Sequence, residues 1–509
     1  MTAGLPAEAA FVVVGGGTAG SVVAARLAEA GHDVLVLEAG PDFGPQGDPR
    51  WPADFVDATR LGRSNDWGYD SGDTYPWTVG FERARAIGGS SDVNGCTQTW
   101  GHRRDYDAWA ESGLVGWAAD DLVPLFEEGM RRMRVRQFAA TELTPWQHAW
   151  YDAAPAVGMP RLASLNDLDE SAGFAPEAMN IQDGVRVNAS FAYLDAVRSL
   201  PNLRIVGDAL VDRVLVENGA ATGVVVRHSA DRGGESIVVR AGTVVLAGGA
   251  YNSPTILLRS GIGPYSQLAP LDIPLVQHLP GVGENLHDQP FLLMSFAGSD
   301  RMADEMAAAR AAGWTPDEQA MGKAASSFET EAFDLHFLPY SPTHRGDDKR
   351  WSIGTSALLP RSRGFVRVRS ADPEAKPWID HRFLSDVEGA DVAMLAEGAE
   401  ILRELAATSA LSSLVGAEIH PGPETFSREA LTAHLYRHPD NYWHPVGTCR
   451  MGVDGDPLAV VDARARVHGI AGLRIADCSI MPRIPRATTA MPAVVVGENV
   501  ARMLLEDAS

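Results

Sequence analysis

An α/β fold is predicted by three features of the chain. The glycine run GGGTAG at residues 15–20 follows an apolar strand at 11–14 and opens a helix over 18–30. A second strand, Val34–Leu37, ends in Glu38, eighteen positions after Gly20. Strand-like stretches then return between residues 203 and 249, which extends the first β-α-β unit into a sheet.

The three glycines have separate duties. Gly15 permits the tight turn, Gly17 lets backbone approach a pyrophosphate, and Gly20 lets the helix pack on the strand. The helix presents its first amides, at Thr18 and Ala19, and the positive end of its dipole to phosphates. Glu38 is placed to accept hydrogen bonds from ribose hydroxyls, so the expected ligand is an unphosphorylated dinucleotide; these residues alone leave NAD and FAD both open. The alternative, a glycine-rich turn without ligand, leaves the register of strand, helix, strand and acid unexplained.

A chain of 509 residues is long for one core, and its 45% apolar content is enough for a large one. The net charge of -23 argues against nucleic acid or an anionic membrane as partner. Cys96, Cys449 and Cys478 are far apart, odd in number and without metal-ligand spacing, so neither a disulfide framework nor a metal is expected and a reducing cytoplasm is the default. No secretory signal and no apolar run of about 20 residues is visible.

Residues 41–100 read as loops rich in Gly, Pro, Asp and Trp, which either wrap a ligand or form a surface excursion held by Trp51, Trp67 and Trp77. Residues 105–133 read as one helix with Trp109, Leu122, Leu125 and Phe126 on its apolar face. Asp105 and Asp107 are then acids near a helix N-terminus, and Arg131, Arg132, Arg134 and Arg136 a solvated basic face. Strands are expected at Leu203–Val206, 211–216, 223–227, 236–239 and 243–247, a meander turned at Asn218-Gly219 and Gly233-Gly234. The stretch 244–246 doubles as a third strand of the nucleotide sheet. A helix starts at Ser253-Pro254, buries Ile256, Leu257 and Leu258, and ends at Ser260-Gly261. Residues 301–332 read as a helical insertion or a lid, and 332–338, 352–359 and 364–369 as strands of a second sheet.

Five segments carry the chemistry: 15–38, 84–101 (ARAIGGSSDVNGCTQTWG), 249–263 (GAYNSPTILLRSGIG), 281–288 (GVGENLHD) and the C-terminal run from Trp443 to Asn499. Their order and spacing resemble the glucose-methanol-choline (GMC) flavoprotein oxidoreductases. The segment at 249–263 fits that family's second signature throughout, and the one at 84–101 fits the first except at Gln98. The likeness is clear over 11–130, 186–292, 360–385 and 440–506, and weak at 133–180 and 293–350, where the substrate pocket is expected.

The resemblance implies a discontinuous, Rossmann-like FAD-binding domain formed by residues 1–139, 196–292 and 439–509. It also implies an α+β substrate domain, 140–195 and 293–438, built on an antiparallel sheet backed by helices. It implies FAD on Gly15, Gly17, Thr18, Ala19, Gly20 and Glu38, with the isoalloxazine near Gly88, Ser90, Ser91 and Asn94. Val211 meets the adenine through its backbone, and Asp477 stands near the ribityl and pyrophosphate. Where some members attach the flavin through a histidine, Val93 stands here, so the FAD is expected to be non-covalent.

His444, in WHPVGTCRMG, matches the active-site histidine. It is expected to take the hydroxyl proton of a small or medium alcohol while the α-hydride passes to flavin N5, with oxygen or another acceptor reoxidising the cofactor. The family's second active-site His or Asn falls on Ala490, a gap that Thr488, Thr489, Asn441, water or an unusual reaction would have to explain. That gap motivates two alternatives, an FAD-containing lyase of the hydroxynitrile lyase type and a flavin-binding scaffold of decayed activity. Trp100, Trp351, Tyr442 and Trp443 suggest a ring-bearing or sugar alcohol, or else are core. Cys449 and Cys478 read as small core residues, and His32, His102, His287, His438 and His468 as structural or exposed.

Overall fold

The computed structural model describes residues 5–59, 61–169, 172–228, 236–313, 315–340 and 350–508. Two seven-stranded sheets face a common cleft. In the first, β1 (Glu8–Val14) feeds α1 (Thr18–Glu29), and β2 (Val34–Leu37) returns parallel to β1. All four residues of β2 are buried, the continuous apolar run expected of a parallel strand covered on both faces. β3 (Leu203–Val206) extends the parallel side beyond β2, while β4 (Ala209–Glu217), β5 (Ala220–His228) and β6 (Ile237–Leu246) form the antiparallel side.

Two of the expected strands are one. The stretches 236–239 and 243–247 merge into β6, whose first half pairs antiparallel with β5 and whose second half pairs parallel with β1 and with β7 (Leu473–Ile475). The Ala241-Gly242 break suggested by the sequence is bridged because β1 lies alongside. Leu203–Val206 leaves the meander and joins β2 instead. Asn218 and Gly219, at φ 52° and 77°, make the β4–β5 turn; Gly233-Gly234 lies outside the described residues.

The single helix expected over 105–133 is two, Arg103–Glu111 and Ala119–Arg132, because Gly113 and Gly116 turn the chain through left-handed φ values of 94° and 86°. Asp107 caps the second helix, accepting the Ala119 amide at 2.9 Å. Asp105 is buried, and its carboxylate holds the Arg486 guanidinium at 2.6 Å and the Arg486 amide at 2.8 Å. Glu329 also holds the Arg486 guanidinium, at 2.5 Å, so Asp105→Ala removes one of two carboxylates from this buried cation and is expected to cost about 1.5–3 kcal/mol, seen as a lower thermal midpoint.

The basic cluster is no simple solvated face. Arg132 pairs with Glu29 and Glu128, and Arg26 joins Glu128 to Glu498, so these charges pin α1 to the helix at Ala119–Arg132 and to the C-terminal helix. Gly497 of that helix is required by the same packing, since a Cβ there would come within 2.8 Å of the Val22 side chain.

The second sheet is antiparallel throughout, ordered Val415–His420, Pro290–Gly298, Arg350–Ala357, Leu335–Tyr340, Ala320–Ala324 and Gly173–Pro176, with Asp440–Asn441 pairing the start of Pro290–Gly298. Helix Ala390–Ala406 backs it at close range, since a Cβ on Gly398 would lie 2.3 Å from the Thr355 hydroxyl. Residues 301–332 are only half helical: helix Asp300–Ala312 buries Met302 and Met306, and strand Ala320–Ala324 follows inside the sheet. The stretch near 364–369 leaves this sheet, because Phe365–Arg367 pairs with Trp378–Asp380 in a separate ladder. Among the described residues no helix is long and apolar enough to cross a membrane.

Candidate active site

The cleft between the sheets has a volume of about 1510 Å³, above the roughly 300–1,000 Å³ of pockets that take one drug-sized ligand, and so has room for a large cofactor with a substrate beside it. Its floor is the crossover from β1 to α1. Gly15 has φ 99°, and a Cβ there would meet the Ala247 carbonyl at 2.6 Å. Gly17 caps α1 without a side chain, and the first helical bond runs from the Ser21 amide to the Gly17 carbonyl. The Thr18 and Ala19 amides thus have no helical acceptor, and both residues line the cleft. Gly20 serves packing, because its Cβ would lie 2.0 Å from the Gly15 carbonyl oxygen.

Glu38 lines the same end. Its carboxylate accepts the Gly16 amide at 2.8 Å and the Gly40 amide at 2.9 Å, and each oxygen keeps a lone pair for a further donor. Burial pushes this carboxyl up to about 7 against those amides and Arg85. Val211, on edge strand β4, also lines the cleft.

The loop at 88–94 closes over the floor: Gly89 has φ 58°, and a Cβ there would fall 2.7 Å from the Gly17 Cα, so only two glycines allow the approach. Ser90, Val93 and Asn94 line the cleft. Two expectations need correction here. Gly88 and Ser91 lie behind this surface: the Gly88 amide bonds the Gly16 carbonyl, and the Ser91 hydroxyl donates to the Gly88 carbonyl at 2.6 Å while accepting the Ala189 amide. Both shape the loop and do not face the ligand space. Asp477 lines the cleft but its carboxylate is committed, accepting the Gly249 amide, the Ser253 hydroxyl at 2.5 Å and the Ser479 amide. It thereby ties the end of β7 to α2 (Gly249–Arg259), which begins before Ser253 and contains Pro254 inside it; the Ala250 carbonyl that a Pro254 amide would have met accepts the Thr448 hydroxyl at 2.6 Å instead.

His444 also lines the cleft. The residue before it, Trp443, has φ 59°, an unusual conformation for a bulky side chain, held by its indole on Glu82 at 2.7 Å and by Arg83 on its carbonyl at 2.6 Å. The His444 amide donates to Asp288 at 2.9 Å, and Nδ1 lies 2.8 Å from Gln289 Oε1. The Gln289 amide nitrogen donates to the Leu358 and Pro485 carbonyls, which only accept, so its oxygen is fixed toward the imidazole. His444 Nδ1 must then carry the proton, and Nε2 keeps a free lone pair in the cleft. Withdrawal from water and the nearby Arg83 push this imidazole down to about 3.

Thr488, Thr489 and Ala490 line the wall beside it at the start of α3 (Ala490–Ala508). Of the groups expected to fill the gap at Ala490, Thr488 is engaged by Thr99 and the Thr97 carbonyl, and Asn441 by the Gly80 carbonyl and the Trp443 amide. Thr489 makes no side-chain hydrogen bond within the protein among the described residues.

Tyr442 and Trp443 line the cleft, joined by Phe291, which stacks on Tyr442 at 5.4 Å, and by Tyr340. Trp351 is fully buried against Trp146 and Trp100 packs on Phe126, so these two are core. Cys449 is buried; Cys478 lines the cleft, with burial and Asp477 pushing its thiol up to about 12. The buried His287 accepts the Ile484 amide at 2.9 Å and is structural. Sequence reasoning did not pick out Gln289, Arg83, Phe291, Tyr340 or Glu318. Gln289 adjoined a quoted segment, but its partner lies 155 positions away.

The glycine cradle, the free amides of α1 and Glu38 fit an unphosphorylated dinucleotide such as FAD, and Val93 offers no atom for a covalent link. Residues 9–291 and 360–497 match the two family models described as GMC oxidoreductase. The chain is 34% identical to the oxygen-dependent choline dehydrogenase of Brucella anthropi, over 98% of this chain and 96% of that protein. It is 33% identical to the protein of that name from Rhizobium rhizogenes over the same shares. Among solved structures, pyridoxine 4-oxidase from Mesorbium loti superposes with a TM-score of 0.85 at 28% identity, covering 98% of this chain and 99% of that one. A formate oxidase superposes with 0.84 at 23% identity, covering 98% of each, a likeness of fold.

Proposed function

The chain belongs to the GMC oxidoreductase family and is an FAD-dependent enzyme acting on CH–OH groups, and from that premise we propose that it oxidises a ring-bearing primary alcohol with His444 as proton acceptor. The carrying observation is the Gln289–His444 contact, which fixes the neutral tautomer with Nε2 open to the cleft. The bound flavin supplies the two-electron acceptance that side chains lack. His444 takes the hydroxyl proton, the Asp288 and Gln289 contacts hold its ring in place, and the stacked Phe291 and Tyr442 present a flat apolar wall to the rest of the substrate. The likeness to pyridoxine 4-oxidase supports a ring-bearing substrate.

The remaining roles follow the same reading. Gly15, Gly17, Thr18, Ala19 and Glu38 hold the ADP half without a covalent link, Ser90 and Asn94 meet the flavin end, and Val211 the adenine. The unpaired cysteines suit a reducing, cytoplasmic setting, and oxygen or another acceptor reoxidises the enzyme. Mixing the oxidised enzyme anaerobically with benzyl alcohol, pyridinemethanols and choline tests the proposal. Bleaching of the visible flavin band by the ring-bearing alcohols is expected, and bleaching by choline alone would overturn it. Peroxide formed in air then separates oxygen from other acceptors.

Two further outcomes test parts of the site. Because His444 is held near 3, the acid limb that it contributes to kcat/KM should lie well below pH 6.5, with activity kept at mildly acidic pH and lost only as pH drops toward about 3. Gln289→Glu places a carboxylate on Nδ1, favours the imidazolium, and should move this limb upward, so that the variant fails at a pH where the native enzyme still works. At the Ala490 gap, Thr489→Val should slow flavin reduction about 10-fold and Ala490→Asn should speed it, because a donor near the reacting oxygen is commonly worth that much or more. Stopped-flow rates unchanged in both variants would assign the polar contact to water.

A further inference from the structure

One corner of the cleft is left over by this chemistry. Glu318, 7% exposed, lines the cleft and faces Gly95, where a Cβ would come within 2.8 Å of its Oε1. The Thr97 hydroxyl lies 3.3 Å from Glu318 Oε2 and 2.6 Å from Glu177 Oε2, and one hydroxyl proton serves only one of the two carboxyls. Glu177 is 1% exposed, and its Oε1 has no partner. Among the described residues no cation pairs with either acid; burial raises both, and Glu177 raises Glu318 further. The buried hydroxyl of Tyr442, 5% exposed, also lacks a partner and feels both Glu318 and Glu177. The Tyr442 ring is 4.3 Å from that of His444, which puts the corner one ring away from the proton acceptor.

This corner has acceptors in excess, no counter-charge and an orphan hydroxyl, so what it lacks is a positive group with hydrogens to donate. We propose that Glu318, backed by Glu177 and Tyr442, determines specificity by binding a protonated N–H group carried by the alcohol substrate whose hydroxyl stands at His444. The proposal rests on the alcohol reading above. It disfavours a quaternary ammonium, which has no hydrogen to give to these oxygens.

The test compares 4-(aminomethyl)benzyl alcohol with 4-ethylbenzyl alcohol, nearly identical in shape and differing in charge, on the flavin-loaded enzyme. The amine is expected to have the higher kcat/KM by about 10- to 100-fold, the range of hydrogen bonds to a charged group. In Glu318→Gln that ratio should collapse toward 1. A native ratio near or below 1, or a ratio kept in Glu318→Gln, overturns the proposal; should the variant lose its flavin, the native ratio decides. If neither compound is oxidised, the alcohol reading fails, while the ratio of their Kd values, from perturbation of the flavin spectrum, still decides the role of Glu318.

Discussion

Replacing His444 with alanine should lower kcat/KM for alcohol oxidation by about 10²- to 10⁴-fold, the range that a positioned general base contributes. The loss should appear in the flavin-reduction step of an anaerobic stopped-flow experiment, with the flavin still bound, because His444 is anchored by Asp288 and Gln289 and not by Glu38 or the glycine crossover. Gln289 is a fixed acceptor, so Nδ1 donates to it, and the burial that depresses the imidazole keeps Nε2 unprotonated across the neutral range. Flavin reduction by the alanine variant within threefold of the native rate would remove His444 from the chemistry. The lyase and scaffold alternatives meet the same experiment, since neither requires the native enzyme to bleach with an alcohol.

Gly17→Val should cost the protein its flavin and little else. Among the described residues, its chain neighbours apart, the only atom within 4 Å of a Cβ built at Gly17 is the Gly89 Cα at 3.7 Å, an ordinary contact, and the backbone there, at φ -71°, suits any residue. The added side chain therefore projects into ligand space, and cofactor affinity should fall about 10- to 100-fold, the 1–3 kcal/mol typical of overpacking. The expected preparation is pale after gel filtration, with native circular dichroism and recovery of colour at high added FAD. Gly20→Ala supplies the contrast: its Cβ would strike the Gly15 carbonyl, so it should lower the melting temperature as well. A Gly17→Val protein that retains full stoichiometric flavin would dismiss this cradle.

Local chemistry made the first half of the site legible. β1, α1, β2 and Glu38 are contiguous, and the duty of each glycine follows from the absence of a Cβ, so thirty residues of sequence suffice to place them. The Phe365–Arg367 strand illustrates the limit: its apolar pattern marks a strand, but which sheet it joins depends on Trp378–Asp380 and not on its own residues. Likewise Asp105 reads as a helix acid until Arg486, 381 positions away, arrives beside it.

The sequence by itself determined the nucleotide crossover and the family resemblance, and singled out His444 as the candidate proton acceptor, because each is written in short-range spacing and backbone freedom. Only the tertiary structure decided the tautomer of that histidine, the retreat of Ser91 and Gly88 from the cleft, and the pairing of Glu177 with Glu318. Those depend on contacts between segments 80 to 221 positions apart, and no local pattern encodes which buried polar group will meet which.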